Sequence, residues 1–194
     1  MILLADISIA ILTGGKSRRF GSNKLVFEVD GKKLVHRVYD KVHDFSDDVF
    51  FQGNSVEDLQ SSKDDIMEGK GPLGGIYSAL KNSRYEKTIV LAGDLPHVDT
   101  RILDELSSKA GADLVVPRWR NGHREPLCAL YSRALVLLIE QMLERGDMKI
   151  SHLFDQVERI EWIDIDDLIE SGRLDEDCFR NLNRQQDASG RHPH

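Results

Sequence analysis

The 194-residue sequence has few cysteines and no long hydrophobic run, and each shortage excludes a class of protein. Its two cysteines, Cys128 and Cys178, have no second cysteine or paired histidine at metal-ligand spacing, which argues against a zinc module and a secreted disulfide scaffold. The early apolar stretch, residues 1–12, is interrupted by Asp6, has no basic leader and is too short to span a bilayer. We therefore expect a soluble cytoplasmic protein with no signal peptide and no membrane segment.

Positive charge is also scarce, because 26 Lys and Arg residues face 33 Asp and Glu residues, giving a net charge of -7. A basic face for nucleic acid is therefore not expected. The charge is uneven, since residues 16–24 hold four cations and no acid, whereas residues 155–177 hold ten acids and two arginines. The cationic segment suits a compact phosphorylated ligand, and the acidic stretch is interpreted as a solvated face.

The spacing of apolar residues predicts alternating strands and helices. Strands are predicted at 7–12, 49–52, 88–91, 114–116 and 127–131, with a half-exposed strand at 158–165; helices are predicted at 34–42, 73–80, 99–110 and 133–144. This alternation indicates an α/β layered fold with a mainly parallel central sheet. No repeat or linker interrupts it, so we expect a single domain over residues 1–184 and a frayed tail over 185–194.

Two loops stand out, because ligands of open α/β sheets bind beyond the carboxyl ends of the strands. The first reads TGGKSRRFGSNK at 13–24. Its consecutive glycines, Gly14 and Gly15, let backbone N–H groups face a ligand, and its four cations suit phosphate oxygens. It is not a Walker A loop, since Ala10 stands where the leading glycine is needed, and it is not a G-x-G-x-x-G fingerprint. We interpret it as a polyphosphate site; the alternative is a plain glycine-rich turn.

The second loop reads AGDLP at 92–96 and places Asp94 at the end of a strand. A carboxylate that faces a phosphate loop is a typical magnesium ligand, because Mg²⁺ is held by one or two carboxylates together with phosphates and waters. The alternative is that Asp94 caps the next helix, for which Asp99 is better placed. The sequence offers no Ser/His/Asp or Cys/His set for nucleophilic catalysis.

Five segments, in chain order, resemble motifs of the molybdenum cofactor guanylyltransferases, nucleotidyltransferases with a three-layer Rossmann-like fold. They are LTGGKSRRFGSNK at 12–24, GPLGGI at 71–76, GDLP at 93–96, EPLCALY at 125–131 and FRNLN at 179–183. Four positions depart from the family pattern: Thr13, Phe20, Gly93 and Arg184 stand where alanine, methionine, cysteine and threonine are usual. None of these changes removes a charge that the chemistry needs.

The resemblance implies that GMP passes from magnesium GTP to the terminal phosphate of molybdopterin, with release of pyrophosphate. It implies catalytic roles for Arg19, Lys24 and Asp94, with Asp94 as the metal ligand. The implied nucleotide contacts are Leu12, Thr13, Gly14, Gly15, Lys24, Asn54 and Asp94. Asn181 and Asn183 would bind molybdopterin, and either Asp65 or Glu68 would be a further nucleotide contact. The amino-terminal half would thus bind GTP and the carboxyl-terminal half molybdopterin.

Several alternatives stay open on the sequence. A related nucleotidyltransferase for CTP or a sugar phosphate would use the same loops, and a non-catalytic accessory protein would bind GTP without turnover. Protein partners in cofactor biosynthesis, or the enzymes that receive the cofactor, are also possible. His123 and Arg124 could contact the pterin phosphate or form a solvated basic loop, whereas Trp119 and Trp162 are interpreted as packing residues.

Overall fold

The predicted alternation of strands and helices is present in the computed structural model, which describes residues 6–13, 28–29, 32–53, 62–67 and 69–179. The strands are β1 (Ile7–Leu12), β2 (Glu28–Val29), β3 (Lys32–Lys33), β4 (Val49–Gln52), β5 (Ser62–Lys63), β6 (Lys87–Ala92), β7 (Leu114–Arg118), β8 (Cys128–Ser132) and β9 (Ile160–Asp164). The helices are α1 (Leu34–Val42), α2 (Gly71–Asn82), α3 (Arg101–Ser108), α4 (Val136–Glu144), α5 (Ile150–Phe154) and α6 (Ile165–Glu170).

Seven strands form one sheet in the order β5-β4-β1-β6-β8-β7-β9, and β2 pairs with β3 separately. Neighbouring strands of the large sheet are parallel except at β8, which is antiparallel to both β6 and β7. The mainly parallel sheet predicted from the sequence is therefore confirmed. Because β8 runs in the opposite direction, its first residue lies at the edge of the sheet where β1, β4 and β6 end.

The sequence of β1 is apolar because all six of its residues are buried. Ile9 and Ile11 pack in one core with α1, α3 and α6, whereas Ala10 and Leu12 pack in a second core with α2, α4 and α5. Helices thus cover both faces of the sheet, and the predicted three-layer α/β architecture is confirmed. No helix in the described ranges combines the length and the hydropathy needed to cross a membrane.

Element ends differ from the sequence prediction where local hydrogen bonds decide them. Helix α2 begins at Gly71, two residues before the predicted start, because Pro72 fits its first turn. Helix α3 is shorter than predicted, and the Asp99 carboxylate accepts a hydrogen bond from the Arg101 backbone N–H at 3.0 Å. The strand predicted to reach residue 165 ends at Asp164, whose side chain accepts a hydrogen bond from the backbone N–H of Asp167 and so begins α6.

Candidate active site

The carboxyl ends of three neighbouring strands are joined by backbone hydrogen bonds. The Thr13 N–H, just after β1, donates to the Gln52 carbonyl of β4 at 2.8 Å. On the other side, the Gly93 N–H after β6 donates to the Leu12 carbonyl at 3.0 Å. These bonds bring the two loops that the sequence singles out to the same edge of the sheet.

Thr13, which stands where the resembling family has alanine, is almost fully buried and fixes the end of β4. Its hydroxyl lies within hydrogen-bond distance of two backbone carbonyls, those of Gln52 at 3.1 Å and Gly53 at 3.3 Å. Gly53 has φ of 116°, a conformation that favours glycine, and its N–H donates to the Lys63 carbonyl of β5 at 2.9 Å. The Thr13 side chain thus holds the start of the cationic loop against the next strand.

Asp94 is half-buried and comes directly after Gly93 at the end of β6. The turn that follows is closed by a bond from the Leu95 N–H to the Ala92 carbonyl at 3.3 Å, and both Leu95 and Pro96 are buried. This packing fixes the backbone that carries the carboxylate. No group of three or more Asp, Glu, His or Cys side chains in the described ranges is placed to hold a metal. The Asp94 carboxylate combined with substrate and water oxygens would form a donor set that fits Mg²⁺ rather than zinc.

Seven predicted site residues lie outside the described residues: Gly14, Gly15, Arg19, Lys24, Asn54, Asn181 and Asn183. Their predicted roles stay predictions. The described residues nearest to them in sequence are Thr13, Glu28, Gly53 and Phe179. Phe179, which begins the FRNLN segment, packs its ring edge against Trp119 with ring centroids 5.9 Å apart.

Gln52 is a fully buried polar residue that lies in none of the sequence motifs. Its side-chain amide group lies 3.1 Å from the Lys63 carbonyl, 2.9 Å from the Asp64 carbonyl and 3.0 Å from an oxygen of Asp65. The side-chain oxygen of Gln52, Oε1, accepts a hydrogen bond from the Asn82 side-chain amide at 2.9 Å. The amide thus anchors the segment that carries Asp65, one of the two candidates for a further nucleotide contact. Glu68, the other candidate, lies outside the described residues.

Replacing Gln52 by leucine should destabilise the protein, because it removes a fully buried amide that links β4 to residues 63–65 and to Asn82. We expect the free energy of unfolding to fall by about 2–4 kcal/mol, measured by urea denaturation. Gln141→Leu is the control, since Gln141 is exposed on α4. A change below about 1 kcal/mol for Gln52→Leu would show that this network contributes little to stability.

The connection between β7 and β8 carries a largely buried carboxylate, Glu125, at the start of the EPLCALY segment, which resembles the second-substrate strand of the guanylyltransferases. The Glu125 side chain is only 17% exposed; its Oε1 accepts a hydrogen bond from the Trp119 indole N–H at 3.0 Å and lies 3.5 Å from the His123 ring. Burial raises the pKa of Glu125 above its ordinary value, and the two neighbours oppose that shift. The connection is joined to the site, because the Ala92 N–H donates to the Leu127 carbonyl at 2.7 Å.

Two arginines, one at the end of β7 and one in the connection that follows it, stack on one tryptophan. The guanidinium groups of Arg118 and Arg124 lie 5.5 Å and 5.2 Å from the centre of the Trp162 ring. Trp162 also packs edge-on against Phe154, with ring centroids 5.7 Å apart. Trp162 and Trp119 therefore pack within their own chain, as expected from the sequence. The pterin contact considered for His123 and Arg124 is not tested by this geometry.

Comparison with known proteins identifies the family. Residues 9–160 match a family model described as MobA-like NTP transferase domain. A relative from Pyrococcus furiosus, named "Probable molybdenum cofactor guanylyltransferase", is 33% identical over 190 residues, which cover 92% of each chain. The molybdenum cofactor guanylyltransferase of Desulfosudis oleivorans is 32% identical over 154 residues, which cover 76% of each chain.

The fold supports the same assignment. The crystal structure of molybdopterin-guanine dinucleotide biosynthesis protein A from Archaeoglobus fulgidus is similar, with a TM-score of 0.78 and 26% identity, over 93% of this chain and 94% of that one. The fold and the sequence matches agree. The chain therefore belongs to the family of MobA-like NTP transferase domains and is a nucleotidyltransferase.

Proposed function

We propose that the chain transfers GMP from GTP to the terminal phosphate of molybdopterin, releasing pyrophosphate and forming molybdopterin guanine dinucleotide. The observation that carries this proposal is the placement of Asp94 beside the start of the cationic loop, through the bond from the Gly93 N–H to Leu12. The names of the relatives from Pyrococcus furiosus and Desulfosudis oleivorans support the choice of substrates. We place the reaction in the cytoplasm, since both cysteines are free thiols.

The reaction needs no protein nucleophile. An oxygen of the molybdopterin phosphate attacks the α-phosphorus of GTP, a new P–O bond forms, and the bond to the β-phosphate oxygen breaks with its electrons leaving on pyrophosphate. Positioning and charge neutralisation then account for most of the rate enhancement. Gly14 and Gly15 would offer backbone N–H groups to the triphosphate, and Lys24 and Arg19 would neutralise the β- and γ-phosphates.

Asp94 would hold Mg²⁺, since its carboxylate is a hard oxygen ligand at the end of β6. When bound, the ion neutralises charge on the triphosphate oxygens and so makes the phosphorus a better electrophile. Asp94 would act by holding the positive charge of the ion next to the phosphates. The buried turn over residues 92–96 supports that role, because it leaves the backbone little freedom to move.

Molybdopterin would bind towards the carboxyl-terminal half of the chain. Phe179 packs on Trp119, so the end of the described chain lies against the connection between β7 and β8. Asn181 and Asn183 follow two and four residues later, and in an extended segment their side chains would share one face. Each amide offers donors and an acceptor for a pterin edge or a phosphate.

We expect the Asn181→Ala, Asn183→Ala double variant to lose affinity for molybdopterin by about 10- to 100-fold, as the loss of two hydrogen bonds implies. GTP affinity and thermal stability should stay close to wild type. Calorimetric titration with each substrate measures the difference. Gln185→Ala, Gln186→Ala, in the predicted tail, is the matched control. Normal molybdopterin binding, or an equal loss of GTP binding, would show that the division into two substrate halves is wrong.

A mass spectrum of the reaction products tests the proposed function directly. The protein is incubated with molybdopterin, Mg²⁺ and either GTP, CTP or ATP, and we expect the guanine dinucleotide and pyrophosphate from GTP alone. A cytidine product would indicate a cytidylyltransferase. GTP binding without any product would indicate a non-catalytic accessory protein.

A further inference from the structure

Glu125 has an incomplete set of partners for a carboxylate so little exposed. Its two side-chain contacts in the described ranges, with Trp119 and His123, both involve Oε1. The second oxygen, Oε2, accepts no hydrogen bond from a described residue. The Glu125 side chain keeps 17% of its surface exposed, so a ligand can reach the carboxylate from solvent.

The charge of this carboxylate has no cationic side chain to balance it among the described residues, apart from the ring of His123 when that ring is protonated. Six arginines elsewhere in the described ranges each pair with Asp or Glu: Arg84, Arg101, Arg120, Arg133, Arg159 and Arg173. A largely buried carboxylate without such a partner is costly, and N–H donors from a ligand would offset that cost.

The position of Glu125 relates it to the second substrate rather than to the metal. Its backbone N–H donates to the Pro117 carbonyl at 2.9 Å, which holds it beside the end of β7. Trp119, which donates to its carboxylate, packs on Phe179, two residues before Asn181. On the other side, Leu127 is bonded to the end of β6. Glu125 thus belongs to a connection that contacts both the end of β6, next to Asp94, and Phe179 at the end of the described residues.

The ligand chemistry follows from the acceptor. A pterin carries two adjacent donors on its pyrimidine edge, the ring N3–H and the 2-amino group. A carboxylate can accept both hydrogen bonds side by side, and bonds to a charged acceptor are stronger than neutral ones. Oε2 would take one bond and the remaining lone pair of Oε1 the other.

We propose that Glu125 recognises the N3–H and 2-amino edge of the pterin and so orients molybdopterin for attack on GTP. The proposal rests on the proposed function, since it identifies a specificity residue of the same reaction. Glu125 touches the substrate far from the phosphate that reacts. Its loss should therefore weaken binding of the pterin more than it slows the bound complex.

Glu125→Gln is the main test, because glutamine is nearly isosteric and can still accept the Trp119 bond. Its amide nitrogen would face a donor, so we expect molybdopterin affinity to fall by about 10- to 100-fold. The KM for molybdopterin should rise, with kcat and GTP affinity within about twofold of wild type. Glu158→Gln is the matched control, since Glu158 is exposed and begins the turn into β9. Thermal unfolding verifies that both variants are folded.

A second measurement uses two simpler ligands that differ only at position 2 of the ring. Each is tested for how well it displaces molybdopterin: 6-hydroxymethylpterin carries the 2-amino group, and 6-hydroxymethyllumazine has an oxo group in its place. Wild type should prefer the pterin by about tenfold or more, and Glu125→Gln should lose that preference. Unchanged molybdopterin affinity in the variant, an equal loss of GTP affinity, or a wild type without preference for the pterin would each overturn the proposal.

The two proposals can fail separately. If wild type forms no dinucleotide from GTP and molybdopterin, the proposed function is wrong, and the pterin and lumazine comparison still decides whether Glu125 reads a pterin edge. If wild type forms the dinucleotide and Glu125→Gln binds molybdopterin normally, only the role of Glu125 is wrong.

Discussion

Replacing Asp94 by alanine is expected to lower the rate of GMP transfer by about 1,000-fold or more, because the carboxylate that would hold Mg²⁺ at the triphosphate is lost. Asp94 is half-buried in a turn whose backbone is held by Gly93, Leu95 and Ala92, so the fold should be retained. Release of pyrophosphate under saturating GTP measures the rate. Thermal unfolding measures whether the fold is intact.

Two further variants test whether the effect comes from the charge of Asp94 and whether it is specific to this position. Asp94→Asn keeps the shape and removes the charge, so it should be almost as inactive as Asp94→Ala if the carboxylate is a metal ligand. Asp104→Ala removes an exposed carboxylate of α3 and should leave transfer unchanged. An active Asp94→Ala enzyme would show that the metal is held elsewhere or that Asp94 has no role in the reaction.

The second large effect is expected at Lys24. Lys24→Ala should slow transfer by about 100- to 1,000-fold, since negative charge on the departing pyrophosphate grows in the transition state and the lysine would neutralise it. GTP binding should weaken as well, but by a smaller factor than the rate. Single-turnover kinetics and a GTP titration separate the two effects.

The control for Lys24 is Lys32→Ala, which removes an exposed lysine of β3 that pairs with Asp40. This variant should bind GTP and turn it over like wild type. If Lys24→Ala matches wild type in both affinity and rate, Lys24 is a solvated surface cation, and the phosphate role of the loop depends on other residues.

The central strands could be predicted from the sequence because burial on both faces demands an unbroken apolar run. Strand β1 has the predicted bounds, and β6 extends one residue beyond the prediction at each end. Helices α5 and α6 were not predicted, because they have only five and six residues. So few residues make less than two helical turns, and no helical spacing of apolar residues can be recognised. Tertiary packing, rather than local pattern, decides such short helices.

The direction of β8 was not predicted, although a signal was present. The strands predicted at 114–116 and 127–131 are separated by ten residues without a helical pattern. A parallel crossover needs a dozen or more residues, usually including a helix, so a connection this short favours an antiparallel pair. The reversed strand is what brings Glu125 to the edge where β6 ends.

Site residues were predictable where a motif marks the end of a strand, as at Thr13 and Asp94. Gln52 and Glu125 were missed because their roles depend on partners that the fold supplies. The amide of Gln52 meets Asn82, 30 positions away, and the carboxylate of Glu125 is buried only when the connection folds back on Trp119. A polar residue that ends an apolar strand, as Gln52 does in VFFQ, is the one local signal for such a buried network.

The strand order β4-β1-β6 also governs how the chain can fold while it is being synthesised. Ile7 of β1 pairs with Lys87 of β6, 80 positions later. Strand β1 therefore cannot pair on that side until β6 has been synthesised. At roughly 5–20 residues per second, translation leaves β1 without its second neighbour for about 4–16 s. During that interval the most apolar strand of the nascent chain has an open edge, which is when binding by a chaperone would matter most.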